Sequence, residues 1–343
     1  MAQAYMTETD NAGSGSEQDH GRFRRLVGDW SRPGIWRRGL VLAGCAVVLA
    51  LIMLVHAQIP NSIGNLGSLT ETFLPWLGIP VLLLLLLGLL RRSATALIAL
   101  ILPVAVWCDL FGGLLTDKTG GGADLTLVTH NVNAENPDPA DTARDVAASG
   151  ADVIALEELT ESARPVYAKA LGGTYKYHAV EGTVGVWSKY PLSGTRSVDI
   201  KLGWTRAMRT VVTAPEGAVA VYAAHLPSVR VKVDSGFTAS RRDQSANALG
   251  EAISAEPERR VVLLGDLNGT MNDRALHAVT SQMRSTQGAA GAGFGFSWPA
   301  SFPMARIDQI MVKGVEPTTS WTLPGTGSDH LPVAAGIRLG EQE

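Results

Sequence analysis

The chain has 343 residues, 46% of them hydrophobic, a formal net charge of −3 and only 2 cysteines. So few cysteines exclude a disulfide scaffold, and so mild a charge excludes a default nucleic-acid binder, which needs Lys and Arg to neutralise phosphates. The length suggests two parts, and the composition divides them near Leu115.

Residues 1–38 form a cytoplasmic tail in this reading, polar and rich in Gly, Ser and acids over its first part. Residues 39–115 follow as three transmembrane helices, over Leu40 to Ala57, Phe73 to Leu90 and Ala94 to Leu115. Each is long enough to cross a hydrocarbon core of roughly 30 Å. Arg22, Arg24, Arg25, Arg32, Arg37 and Arg38 precede the first, Arg91 and Arg92 separate the last two, and 58–72 has no Lys or Arg. The positive-inside rule then predicts a multi-pass protein of the cell membrane, with a cytoplasmic amino terminus and everything after Leu115 exported. Val55-His56-Ala57 also resembles a signal-peptidase site, and cleavage there leaves that orientation intact. Cys45 and Cys108 fall inside predicted spans, so the exported domain has no thiol.

Residues 116–123, with Gly120-Gly121-Gly122, make a tether reaching at most roughly 28 Å. The exported domain, 124–343, carries an acidic surplus: from Thr119 on, 20 Lys and Arg face 24 Asp and Glu, a net −4. Its pattern opens with a strand, Leu125 to Val132, then a helix that Asp138 caps, Pro139 opens and Gly150 closes. A strand over Asp152 to Leu159 and a short helix to Leu171 come next. Strands follow over Tyr175 to Val180, Thr183 to Lys189, Arg209 to Ala214 and Ala218 to His225, the last two joined by Pro215-Glu216-Gly217. Gly236 to Ala255 reads as a helix, Arg260 to Leu267 as a strand and Ala275 to Met283 as a short helix. Strands around Ile307 to Val312, Pro317 to Trp321 and Val333 to Leu339 end the chain. Such mixing predicts sheets packed on each other with helices outside.

Polar residues collect at the strand ends: Asn131, Glu157 and Glu158, His225, Asp266 with Asn268, Asp308, and Asp329 with His330. Taken alone, Asp266 and Asn268 read equally as capping or turn residues. Together these segments offer hard oxygen donors for Mg²⁺, with Mn²⁺ as the alternative, and histidines suited to proton transfer. No Gly-x-Ser-x-Gly motif or cysteine cluster competes, so metal-assisted attack of water on phosphorus fits best.

The motifs Thr-His-Asn131, Ile-Ala-Leu-Glu157-Glu158, Ala-His225-Leu, Gly-Asp266-Leu-Asn268, Arg-Ile-Asp308 and Ser-Asp329-His330-Leu-Pro-Val occur in the order that resembles the endonuclease/exonuclease/phosphatase superfamily, the DNase I-like fold. With the apolar spans in front, the architecture further resembles VanJ-like teicoplanin-resistance membrane proteins. The resemblance implies an α/β fold in which transmembrane helices precede a four-layer αββα sandwich. It implies Glu158 as principal metal ligand, with Asn131 and Asp329 nearby, and Asp266 as the group that orients or deprotonates water. Asn268 would hold a phosphate oxygen, His225 would contact phosphate or act as acid, and Asp308 would orient His330 against the phosphate. Glu157 stands where the family usually has Gln, His130 replaces a frequent aromatic, and Gln309 replaces another. Arg206 and Arg209, with Arg241 and Arg242 behind them, offer bidentate partners for a second phosphate or an anionic headgroup.

The expected activity is an extracytoplasmic Mg²⁺-dependent phosphohydrolase. Its expected partners are the bilayer and a lipid-linked phosphate such as undecaprenyl pyrophosphate, not nucleic acid. An exported nuclease, a phospholipid or sphingolipid phosphodiesterase, and a noncatalytic membrane-tethered binding module are the alternatives.

Overall fold

The apolar amino-terminal stretches are helical, but only one reaches spanning length, in a computed structural model that describes residues 38–62, 64–228 and 236–340. The cytoplasmic tail expected over 1–38 lies outside the described residues except for Arg38. Among the described residues, Ala94–Leu114 is long and apolar enough to cross a membrane, with a mean hydropathy of 2.1. Leu40–Leu54 is shorter, and Leu66–Thr72 meets Leu74–Leu90 at a 77° bend. Of the three expected spans, one is matched by a helix of full spanning length, and the bent pair makes a second if it is taken as one span. The first stretch leaves the α-helix for a 3-10 turn at His56–Gln58, and the second passes through another at Leu74–Leu77. Pro75 has no N–H to offer the Glu71 carbonyl, so the helix stops, and the Thr270 hydroxyl donates to that carbonyl instead at 3.2 Å.

Two units emerge, Met1–Leu54 with Trp76–Cys108 and Val55–Pro75 with Asp109–Glu343. In the first, Leu40–Leu54 buries the small face Ala43, Ala46 and Ala50 with Met53. Large apolar side chains point outward there: Leu40, Val41, Leu82, Leu83, Leu90 and Ile101 are each more than half exposed.

Among the described residues, the second unit holds twelve strands. They are β1 (Leu125–Asn131), β2 (Val153–Glu157), β3 (Tyr177–Glu181), β4 (Val184–Ser188), β5 (Leu192–Ser197), β6 (Ala207–Ala214), β7 (Gly217–His225), β8 (Val261–Asp266), β9 (Arg284–Ser285), β10 (Asp308–Lys313), β11 (Glu316–Thr322) and β12 (Val333–Arg338). Two six-stranded sheets result, in the orders β11-β12-β1-β2-β4-β3 and β5-β6-β7-β8-β10-β9. Each sheet has one parallel pair joined through a helix: β1 to β2 by Pro139–Ala147, and β7 to β8 by Gly236–Ser254. Asp138 caps the first helix by accepting from the Asp141 N–H at 2.9 Å.

Alternation builds the layers. Leu125, Leu127, Val153 and Ala155 face Val219, Val221, Val262 and Leu264 between the sheets. The opposite faces turn outward to helices, Val128, Ile154 and Leu156 onto Val146 and Tyr167, and Tyr222 and Leu263 onto Leu249 and Ile253. The result is a helix-sheet-sheet-helix sandwich.

Two segments depart from the sequence reading. The glycine tether is strapped to the domain: Gly120 N–H donates to Thr318 O at 2.6 Å, and Arg338 donates to Gly121 O at 3.0 Å. Residues 58–72, a loop by sequence, pack into the same unit together with the adjoining ends of two predicted spans, Val55 to Ala57 and Phe73 to Pro75, and Arg274 donates to the carbonyls of Ala57 and Ile59, both at 2.6 Å.

Candidate active site

The polar residues converge because both parallel pairs end on one rim. In register, Asn131 of β1 lies opposite Glu157 of β2, His225 of β7 opposite Asp266 of β8, and Asp266 opposite Asp308 of β10. Gly265 is required where it stands: at φ +151°, a Cβ would come within 1.9 Å of the Ala224 carbonyl oxygen. Two non-glycine residues at the rim take left-handed backbone, Glu158 at φ 61° and Asn268 at φ 47°. Such strain concentrates at functional sites.

The left-handed turn separates the two glutamates. Glu157 stays on the strand, fully buried, and accepts from the Thr129 hydroxyl at 2.9 Å. Burial, with Asp308 and Asp266 nearby, pushes its carboxyl well above the usual range against the hydrogen bond from Thr129. Glu158 swings to the rim, where it accepts from Asn131 Nδ2 at 3.2 Å and from the Ala134 N–H at 2.9 Å.

Asp266 is the hub. Its Oδ1 accepts from the Asn268 N–H at 2.9 Å, and its Oδ2 from Asn131 Nδ2 at 3.0 Å and Asn268 Nδ2 at 3.1 Å. His225 Nε2 stands 3.5 Å from Oδ2 and His330 Nε2 3.9 Å from it. Burial and the neighbouring Asp308 push Asp266 up to about 7 despite those donors. Asp308 accepts from His330 Nδ1 at 2.9 Å and from the Ser297 hydroxyl at 2.6 Å. Burial opposes a charge on His330, but Asp308 and then Asp266 overcome it and raise the imidazole to about 10. Asp308 answers in kind: against burial, His330 and Ser297 hold it below the usual carboxylate range. His225 is the opposite case, held neutral by burial, the adjacent Arg206 guanidinium and His330. The Arg206 guanidinium lies against its ring nitrogens. The site thus sets one protonated histidine beside one neutral one.

An open cavity of about 380 Å³ is lined by Asn131, Glu158, Arg206, His225, Asp266, Asn268, Asp329 and His330, with Thr72, Ser228, Trp298 and Ile307. Asp308 sits behind His330. Arg209 is not at this cavity and needs correcting: Glu256 takes its Nε at 2.9 Å and its Nη2 at 2.5 Å, so its fork is spent inside the fold. Arg242 is likewise internal, with no exposed surface, bonded to Asn268 O at 2.9 Å and to Asp273 at 2.7 Å. It braces the turn that carries Asn268. Burial drags His130 down to about 3, so it is a neutral buried residue outside the cavity lining, with Nε2 2.9 Å from the Thr326 hydroxyl.

Sequence reasoning missed Ser297 and Thr72, and gave no role to Ser328, the first residue of the Ser-Asp329-His330 motif, whose hydroxyl donates to the Asn131 carbonyl at 2.6 Å. Thr72 comes from the amino-terminal third and carries no local signal.

Asp266, Asp308 and His330 place ligand atoms within 4.8 Å of one another. A protonated His330 has no lone pair for a cation, so this trio reads as a charge relay rather than a complete ligand set. The rim offers a better fit. Glu158, Asp266 and Asp329 line the cavity with hard carboxylate oxygens, while Asn131 turns its Nδ2 to the first two and its Oδ1 to the Asn133 N–H. With Asp308 behind them, four carboxylates face the charges of Arg206 and His330, a surplus that suits a divalent cation.

The Endonuclease/Exonuclease/phosphatase family model matches residues 128–330. Among solved structures, humanized D. rerio TDP2 carrying 14 mutations superposes with a TM-score of 0.53 at 18% identity, over 62% of this chain and 98% of that one. An endonuclease/exonuclease/phosphatase from Bacteroides vulgatus gives 0.53 at 17% identity, over 63% and 99%. A functionally unknown conserved protein from Enterococcus faecalis V583 gives 0.52 at 14%, over 62% and 99%. At such identities the likeness is one of fold. No curated protein matches the chain.

Proposed function

The chain belongs to the endonuclease/exonuclease/phosphatase family, and on that premise we propose that it is a membrane-anchored, divalent-metal-dependent phosphohydrolase. Its catalytic domain works outside the cell on a lipid-linked phosphate such as undecaprenyl pyrophosphate. One observation carries the reading: a buried Asp266 raised to about 7 stands between a neutral His225 and a protonated His330 on an open, acid-lined cavity.

Glu158, Asn131 and Asp329 would hold Mg²⁺, or Mn²⁺, with Asp266 at its edge. When bound, the cation neutralises phosphoryl charge and polarises a phosphoryl oxygen. Asp266 is basic enough near neutrality to take a proton from the attacking water, which its hydrogen bonds from Asn131 and Asn268 keep oriented. His330, kept charged and aimed by Asp308, sets positive charge against the phosphoryl oxygens where the transition state needs it. Arg206 and neutral His225 supply further donors at the same cavity. No covalent intermediate is required.

The membrane reading draws on the arginine asymmetry and on the outward apolar side chains Leu40, Val41, Leu82, Leu83, Leu90 and Ile101. In it the helices form a multi-pass anchor, the amino terminus is cytoplasmic, and a net −4 domain disfavours nucleic acid. The VanJ-like architecture extends it to glycopeptide resistance, so expression in a susceptible bacterium raises teicoplanin tolerance. Detergent-purified protein should release inorganic phosphate from undecaprenyl pyrophosphate with Mg²⁺, and Asp266→Ala should not. Phosphate release retained by the variant, or cleavage confined to DNA or to phospholipid in the same panel, defeats the proposal.

A further inference from the structure

Beside the catalytic cavity lies a second one of about 450 Å³, within the range of small-molecule sites, roughly 300–1,000 Å³. Leu110, Phe111, Leu114, Met271, Phe294 and Phe296 make its wall apolar. Phe294 stacks on Phe296 with centroids 5.1 Å apart and meets Phe111 at 5.9 Å. Three features tie this cavity to the site and to the anchor. Thr72 lines both cavities. The chain that carries Asn268 into the catalytic cavity carries Thr270 and Met271 into this one, and Ile307 and Arg306 divide between the two in the same way. Leu110, Phe111 and Leu114 are the last turns of the helix Ala94–Leu114, the one of spanning length.

A soluble phosphate ester has no use for an apolar wall there. We propose that the second cavity seats the first carbon units of a hydrocarbon chain borne by the phosphate whose head lies at Asp266, so that the substrate is an amphiphile bound across Thr72. This rests on the phosphohydrolase reading and adds the part of the substrate that the catalytic residues do not read.

Gly288 provides the test. It lines the cavity, and a Cβ there would meet nothing nearer than Ser285 Cβ at 3.7 Å, so a large side chain fits the backbone and fills the void. Full-length protein in detergent with Mg²⁺ is assayed for phosphate release from dimethylallyl, farnesyl and geranylgeranyl diphosphates, and from short-chain and long-chain phosphatidates. The wild type should prefer longer chains, and the better of the two series names the source of the chain. In Gly288→Phe the long-to-short ratio of kcat/KM should fall roughly tenfold or more, since each buried methylene is worth a few-fold in affinity. A wild-type ratio indifferent to chain length, or a ratio unmoved by the substitution, overturns the proposal. A diazirine-bearing farnesyl phosphate gives a readout independent of turnover. Its label should fall on residues 107–115 or 283–296, and label elsewhere overturns the proposal. Label there without phosphate release from any substrate leaves the chain site standing and refutes the phosphohydrolase reading instead.

Discussion

Replacing Asp308 by Asn removes a charge and leaves a shape, which isolates what the Asp308–His330 pair contributes. His330 rises from 6.5 to about 10, which at about 1.4 kcal/mol per unit favours its protonated form by about 5 kcal/mol in all. Asp308 supplies the largest favourable share, at 2.9 Å, while Asp266 at 3.9 Å and the nearby Asp329 supply the rest. An opposite charge at such range is worth roughly one to three units, so the imidazole of Asp308→Asn should titrate roughly that much lower. The same substitution takes a like charge away from Asp266, whose value of about 7 owes to burial first and Asp308 second. Both limbs of the pH profile of kcat/KM for phosphate release should therefore move to lower pH, the alkaline limb further. The stability effect has a matching sign. A histidine raised in the folded state contributes stability that is full below about 6.5 and lost as pH rises through about 10, so the variant's melting temperature should fall most in acid and least in alkali. An alkaline limb that stays in place, in a variant that melts cooperatively and retains the site, would refute the charge relay.

The two adjacent glutamates give opposite outcomes. Glu157→Gln replaces a buried carboxyl that resists ionisation by an uncharged amide of the same shape, so activity should persist and the fold should gain stability at alkaline pH, whereas Glu158→Gln should raise the Mg²⁺ concentration needed for half-maximal rate by roughly 10- to 100-fold. Arg242→Met breaks a fully buried pair with Asp273 and should cost about 3–5 kcal/mol in urea unfolding; a loss under about 1 kcal/mol contradicts the assigned bracing role. Glu71, raised to about 8 by burial and then by Asp273, is protonated in the folded state at neutral pH. Because the folded form holds that proton more tightly, stability should decline as pH rises from about 4.5 towards 8 and then level off. Glu71→Gln should flatten that decline, measured by thermal melts across the range.

The buried polar set also links distant parts of the second unit. Asn268 is fixed by Asp266 from one side and by Arg242 from the other, and Arg242 also donates to Ser68 at 3.1 Å. The segment Val55–Pro75 is thereby bonded to the turn that carries a cavity residue. A substitution at Ser68 therefore reaches that turn from outside the cavity.

Much of this protein was legible along the chain because its signals are local. A continuous apolar run, Val261 to Leu264, ended by Gly265-Asp266, announces a strand buried on both faces whose polar end must lie on a rim. Asp138 before Pro139 announces a helix start, the Asp accepting from a free N–H of the first turn and the Pro standing where a missing N–H does no harm. The six strand-end motifs needed only their order. Strand β5, Leu-Ser-Gly-Thr-Arg-Ser, escaped notice because it lies at a sheet edge with mostly exposed side chains, so nothing selects apolar residues there. The choice between Glu157 and Glu158 rested on a single backbone angle of +61° that no local pattern encodes. Arg206 and Arg209 look alike in sequence, and only the fold brings Glu256 to one and the open cavity to the other. Sequence by itself determined which segments are strands and where their polar ends fall, since burial and period are written into neighbouring residues. Tertiary structure decided which charges are paired, which are raised or lowered, and what lies beside the rim, because partners such as Asp308 and His330, or Ser68 and Arg242, meet only when distant segments pack and exclude water.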